Sequence, residues 1–263
     1  MIVQPFSYLR EVPVEVAAGP TIRPDPYASF IVYAQPMNYF SGSFGMTNFD
    51  SNIAASIKGS GINHKFPVTG SGGTYVATAG KTKFAADGYN TSLRLSGATN
   101  GGGFGGTATP DDLKMGNSNF VWEVWVNTDA TIAGQGIAML RAYSATGAWT
   151  FSQTPAYIRF LCGPNDSYVP DSATNLAKTA NVWRHWAFVR SGNTFNVYWD
   201  GVRVLNNSYG AITLGNQNPN QLLGQASGDD SQTVQYQDFR IYKGTDKGYT
   251  GATITPPLSM VIG

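Results

Sequence analysis

The chain has 263 residues, a net charge of +1 and a charged fraction of only 13%. That length suits one all-β domain with a core large enough to do without disulfide or metal staples. The near-neutral charge, with no block of like charges, excludes a nucleic-acid binder held by phosphate contacts, and no apolar run approaches the ~18 residues of a membrane-spanning helix.

The start, Met1-Ile2-Val3-Gln4-Pro5, lacks a positive segment followed by an apolar one, so no signal peptide is expected and synthesis is placed in the cytoplasm. Residues 1–24 read as an extended arm, because Pro5, Pro13, Pro20, Pro24 and Pro26 recur too often for a helix. The arm is apolar through Phe6, Tyr8, Leu9, Val12, Val14 and Val16, the valines alternating as in a strand. An apolar arm needs a surface to bury against. That surface is either the chain's own body or a partner subunit, and both stay open here.

From residue 25 to 263 the pattern is one of short strands separated by turn signals. Strands are expected over 29–34, 65–69, 74–78, 120–126, 137–143, 149–152 and 157–162. The clearest pair is 182–190 and 194–199, joined by Ser191-Gly192-Asn193. Asp200-Gly201 follows, the dipeptide favoured where both central turn residues need positive φ, and Val202 to Leu205 returns from it. Residues 221–225 and 234–242 complete the set. Asn175 to Ala180 is the best short-helix candidate, and no repeat of solenoid or propeller spacing occurs. Many strands with almost no helix mean a sandwich or barrel. The single cysteine, Cys162, forms no internal disulfide and reads as a small buried residue of a strand.

Several of these residues carry a family resemblance. Trp183-Arg184-His185-Trp186-Ala187-Phe188-Val189-Arg190, followed by Thr194-Phe195-Asn196-Val197-Tyr198-Trp199-Asp200-Gly201, resembles the signature hairpin of the concanavalin A-like, laminin G-like sandwiches. Trp122-Glu123-Val124-Trp125-Val126 and Asp238-Phe239-Arg240-Ile241-Tyr242 are similar to two further strands of that family. Asp25-Pro26-Tyr27, Thr82-Lys83-Phe84 and Tyr249-Thr250 before Thr255-Pro256-Pro257 are similar to versions found in bacteriophage structural proteins. The resemblance implies an all-β, two-sheet antiparallel jelly-roll sandwich over residues 25–263, preceded by the arm.

Candidate chemistry is sparse. His185 shares its strand face with Trp183 and Val189 and reads as a core histidine, and His64 reads as part of a surface turn. Retaining glycosidases need two neighbouring carboxylates. The glycosidases of this superfamily carry them as Glu-x-Asp-x-x-Glu, whereas Glu123 stands alone in its strand. Gly101-Gly102-Gly103-Phe104-Gly105-Gly106 contains Gly-x-Gly-x-x-Gly without a following helix, and reads as a loop. No cofactor is expected. Asp111-Asp112 and Asp229-Asp230 lie where some relatives bind calcium, but they form no ligand cage. Tyr143, Trp149, Asn165, Asp166 and Tyr168 are the candidate glycan contacts, read as aromatics beside Asn and Asp on loops.

These readings lead to a non-enzymatic virion protein of a bacteriophage. It is expected as a capsid decoration or appendage subunit, present in repeated copies or as a homo-oligomer and anchored to other virion proteins by its arm. The alternative is a tail-associated module contacting a host-surface glycan, and a divergent glycosidase is the third reading.

Overall fold

The computed structural model describes residues 21–35, 68–69, 73–76, 82–90, 92–96, 103–104, 115–128, 137–142, 149–153, 157–162, 165–170, 181–211, 213–214, 223–225 and 233–262. The strands in chain order are β1 (Thr21–Ile22), β2 (Ile31–Gln35), β3 (Val68–Thr69), β4 (Gly73–Val76), β5 (Ser92–Ser96), β6 (Gly103–Phe104), β7 (Phe120–Thr128) and β8 (Ile137–Ala142). They continue with β9 (Trp149–Gln153), β10 (Tyr157–Cys162), β11 (Asn165–Pro170), β12 (Arg184–Ser191), β13 (Thr194–Trp199), β14 (Val202–Ser208), β15 (Leu223–Gln225), β16 (Thr233–Lys243) and β17 (Val261–Ile262). Among the described residues, no helix is long and apolar enough to cross a membrane.

Two antiparallel sheets make up the body. One has eight strands in the order β14-β13-β12-β7-β16-β5-β4, with β2 also pairing β16. The other has seven, in the order β11-β10-β9-β8-β15-β6-β3. This is the sandwich expected from the sequence. The hairpin stands where the alternation put it: Trp186 faces Trp199 and Phe188 faces Val197. Asp200 and Gly201 take φ of 46° and 81°, as the tight turn requires.

Some boundaries differ from the sequence reading. Ala28–Phe30 is a 3-10 turn, so the strand expected from Ser29 begins at Ile31. Gly103–Phe104, inside the glycine run read as a loop, pairs as a strand with both β3 and β15. The first described residues, Thr21 and Ile22, pair with Ile262 and Val261, and the Arg23 N–H donates to the Met260 carbonyl at 2.7 Å. Residues 21–23 therefore belong to the folded body. Residues 1–20 of the arm and the helix candidate at 175–180 lie outside the described residues.

The eight-stranded sheet is buried on both faces. Register places Phe120, Trp122, Val124, Trp186, Phe188, Phe195, Val197 and Trp199 on one face, the sandwich core. Each large apolar side chain buried there contributes about 1.5–3 kcal/mol, so this aromatic layer dominates stability. The opposite face carries Val121, Glu123, Trp125, His185, Ala187, Val189, Asn196, Tyr198, Arg240 and Tyr242. A second apolar cluster forms on it, in which Phe84, Tyr89 and Met260 join Val121, Trp125, Tyr198 and Tyr242. Irregular segments therefore cover what would otherwise be the outer surface.

Candidate functional site

The ionisable residues of the outer face converge beneath those segments. Glu123, on β7, is fully buried. Lys247 enters from the C-terminal segment, and its Nζ donates to Glu123 Oε1 at 2.7 Å. The same ammonium lies 4.2 Å from the Tyr242 ring centroid and 5.0 Å from that of Tyr249. His185 Nε2 sits 3.6 Å from Glu123 Oε2, too far for a hydrogen bond. Glu123 is thus not alone as its strand suggested: its companions come from β12 and from beyond β16.

Burial pushes the Glu123 carboxyl upward, but Lys247, His185 and Arg240 outweigh burial and hold it well below the usual carboxylate range. Burial lowers His185, helped by Lys247 and Arg240 and opposed by Glu123, which keeps the imidazole neutral near pH 7. An acid–base catalyst must reach its substrate directly or through one water. Glu123 and His185 are both fully buried, so this arrangement acts as a lock holding Lys247.

A bulge in β16 supplies the neighbouring lock. Register shifts between Gln237 and Arg240, and Asp238 takes a φ of 51°. Asp238 then accepts from the Tyr89 hydroxyl at 2.5 Å, the Met260 N–H at 2.8 Å and Arg240 Nη2 at 3.2 Å. Burial pushes its carboxyl up to about 6, against the pull of Arg240 and these donors. Arg240 Nη2 also donates to the Leu258 carbonyl.

Asp25–Tyr27, Thr82–Phe84 and the segment from Tyr249 to Pro257 belong to the covering segments. The Asp25 carboxylate accepts from the Tyr242 hydroxyl at 2.6 Å and from the Tyr27 N–H at 2.7 Å. The Lys83 N–H donates to Gln237 Oε1 at 2.7 Å, and Phe84 meets Trp125 edge-on. The Tyr198 hydroxyl reaches the Tyr249 carbonyl at 2.8 Å, and the Ile254 N–H donates to the Gly201 carbonyl at 2.7 Å.

Where residues 23–31 and 247–260 meet over this face, they leave a cleft of about 490 Å³. Arg23, Asp25 and Tyr27 line it from the N-terminal side, Lys247, Tyr249 and Leu258 from the C-terminal side, and Arg240 from the sheet. Nothing in the sequence marked this cleft, because its walls lie more than 200 residues apart in the chain, as in the Arg23–Ser259 contact (separation 236).

The candidate residues read from sequence lie elsewhere. Phe6, Tyr8, Leu9, Val12, Val14, Tyr143, His64 and both Asp pairs fall outside the described residues. Trp149 opens β9, and Asn165, Asp166 and Tyr168 belong to the edge strand β11 rather than to a loop. Register aligns Trp149 and Asn165 in one row with Cys162, while Asp166 and Tyr168 pair with Leu161 and Arg159. Among the described residues, no group of three His, Cys, Asp or Glu side chains is placed to hold a metal ion.

Comparison with known proteins agrees with the geometry. A family model described as the concanavalin A-like lectin/glucanases superfamily matches residues 100–245. No curated protein matches the sequence. Among solved structures, the binding domain of Paraclostridial Mosquitocidal Protein 1 superposes with a TM-score of 0.55 at 13% identity, covering 85% of this chain and 51% of that one. The chain thus spans about half the length of that domain. The botulinum neurotoxin serotype D binding domain is similar at a TM-score of 0.47 and 11% identity, over 66% of this chain and 42% of that one. Domain 4 of the arabinanase AbnA from Geobacillus stearothermophilus, solved with arabinotriose, gives 0.42 and 15%, over 70% and 82%.

Proposed function

Because the chain belongs to the concanavalin A-like lectin/glucanase superfamily, we propose that it holds a partner on its surface without turnover, as a structural subunit of a bacteriophage particle. The observation that carries this reading is the sealed Glu123–Lys247–His185 cluster. Its ionisable groups are spent on fastening chain segments to the sheet, which leaves contact as the work of the surface. The phage assignment draws on three stretches that resemble phage structural proteins and together clamp the outer face.

On this reading the apolar arm, with Phe6, Tyr8, Leu9, Val12 and Val14, anchors the subunit to other virion proteins and the sandwich faces outward as decoration or appendage. Residues 21–23 are part of the fold, so the informative deletion removes residues 1–20. The shortened chain is expected to stay folded and soluble but to be missing from purified particles by mass spectrometry of separated head and tail fractions. Unchanged incorporation would overturn the anchor role, and absence of the full chain from every fraction would overturn the particle assignment.

A second reading, a receptor- or glycan-binding module of the particle, is favoured by the cleft between residues 23–31 and 247–260, where aromatic rings and paired charges share one concave surface. The structural likeness to a toxin's binding domain supports the same class of activity.

A further inference from the structure

We infer that the cleft between residues 23–31 and 247–260 is a binding site for a small neutral saccharide, an inference that rests on the glycan-binding reading above. Its size, about 490 Å³, falls within the ~300–1,000 Å³ of ordinary small-ligand sites.

The charges in its walls select the ligand class. Each wall cation already faces a carboxylate: Arg23 meets Asp87 at 3.1 Å, Lys247 meets Glu123 at 2.7 Å and Arg240 meets Asp238 at 3.2 Å. Asp25 adds a further carboxylate, so an anionic ligand would enter a region with no cation to spare. A cationic ligand finds the aromatic position taken, because the Lys247 ammonium already lies against the Tyr27, Tyr242 and Tyr249 rings. A wholly apolar ligand would desolvate these paired charges without replacing their contacts with water. A neutral polyhydroxylated ligand is the class that remains.

The surface offers what such a ligand needs. Tyr27 and Tyr249 are half-buried at the walls, and Leu258 stands 64% exposed at the rim, giving apolar patches for the C–H face of a sugar ring. Arg240 is 6% exposed, and its Nε has no hydrogen-bond partner, although Nη2 is committed to Asp238 and the Leu258 carbonyl. That Nε is itself sealed from solvent, so the ligand's hydrogen bonds fall to the accessible oxygens of the walls. The Asp25 oxygens each accept one protein hydrogen bond and retain capacity for another. Thr253 and Thr255 add exposed hydroxyls to the wall.

The test titrates the full chain with maltose, lactose, cellobiose and mannobiose, and with 3′-sialyllactose as the anionic probe, by saturation-transfer NMR and calorimetry. At least one neutral disaccharide is expected to bind. Thr255→Trp, which fills the cleft from an exposed position, should weaken it more than tenfold, and Leu258→Ser at the rim should weaken it severalfold. Trp149→Ala, on the other sheet, should change it less than twofold. If Trp149→Ala abolishes binding while both cleft variants bind normally, the glycan reading stands and this site is wrong. Preferential binding of 3′-sialyllactose would overturn the neutral assignment. If no sugar binds the unmodified chain, the glycan reading fails and this site with it.

Discussion

At the scale of single residues, Lys247 and Glu123 illustrate how a buried ion pair holds a structure without adding much to its net stability. Two charges taken from water are compensated by each other and by nearby rings, so the pair is worth little against an apolar replacement. Breaking it is another matter. Lys247→Met leaves the Glu123 carboxylate buried without its cation and should cost about 3–5 kcal/mol in denaturant unfolding, whereas Glu123→Leu with Lys247→Met should recover most of that loss. Equal destabilisation of the single and double variants would show that the pair is not the lock.

The buried groups also set the pH response. Glu123 is depressed below its ordinary value near 4.5, so its contribution is present above that pH and is lost on acidification. His185 is lowered from 6.5, and the unfolded chain takes up its proton first, so its contribution also falls as pH drops. Asp238 has the opposite sign: raised from 3.8 to about 6, it favours the folded state at low pH and loses that contribution as pH rises through 6. Below pH 6.5 the His185 slope opposes that of Asp238. Below about pH 4 the Asp238 contribution is nearly complete while the Glu123 loss continues. The urea midpoint should therefore fall between pH 4 and pH 3; a higher midpoint at pH 3 than at pH 4 would contradict these assignments.

At the scale of elements, the β13–β14 turn shows how a strand signature serves a distant segment. A Cβ on Gly201, at φ +81°, would stand 2.4 Å from the Ile254 carbonyl oxygen, which is backbone and cannot swing away. Gly192, at φ +58° in the neighbouring hairpin, has open space around the same position. Gly201→Ala should thus cost more than about 2 kcal/mol and Gly192→Ala about 1 kcal/mol, read as thermal midpoints. Similar losses at both sites would mean that the Gly201–Ile254 approach is not a constraint.

Elements were legible in the sequence where alternation met a recognisable turn. β12 and β13 stood out through their aromatic alternation and Asp200-Gly201, and β7 through its dense aromatic and β-branched run. β5, Ser-Leu-Arg-Leu-Ser, is too short to signal by itself and gains its place by pairing with β4 and β16. β11 begins Asn-Asp-Ser, residues that favour turns, and pairing with β10 overrides that preference. The polar positions of β7 and β16 invited a different error. Glu123, Gln237 and Arg240 look like the solvated side of a half-buried strand, yet all are buried under segments remote in sequence.

At the scale of the whole molecule, the signature residues form one device. Glu123 and His185 receive Lys247; Asp238, Arg240 and Tyr242 hold Met260, Leu258 and Asp25; Gly201 receives Ile254. Residues 21–27 and 247–262 are fastened to one sheet face and to each other through β1 and β17. The motifs could be read in sequence one by one, but their convergence, and the cleft it leaves, depend on contacts that only the folded chain brings together.

On the proposed reading, this sandwich holds its partner and leaves it chemically unchanged. Incubating the purified chain with neutral oligosaccharides and polysaccharides, and following reducing ends against a buffer control, tests that claim directly. No release above the control is predicted. Sustained release that disappears in Glu123→Gln would contradict it, because the sealed carboxylate would then be a catalyst.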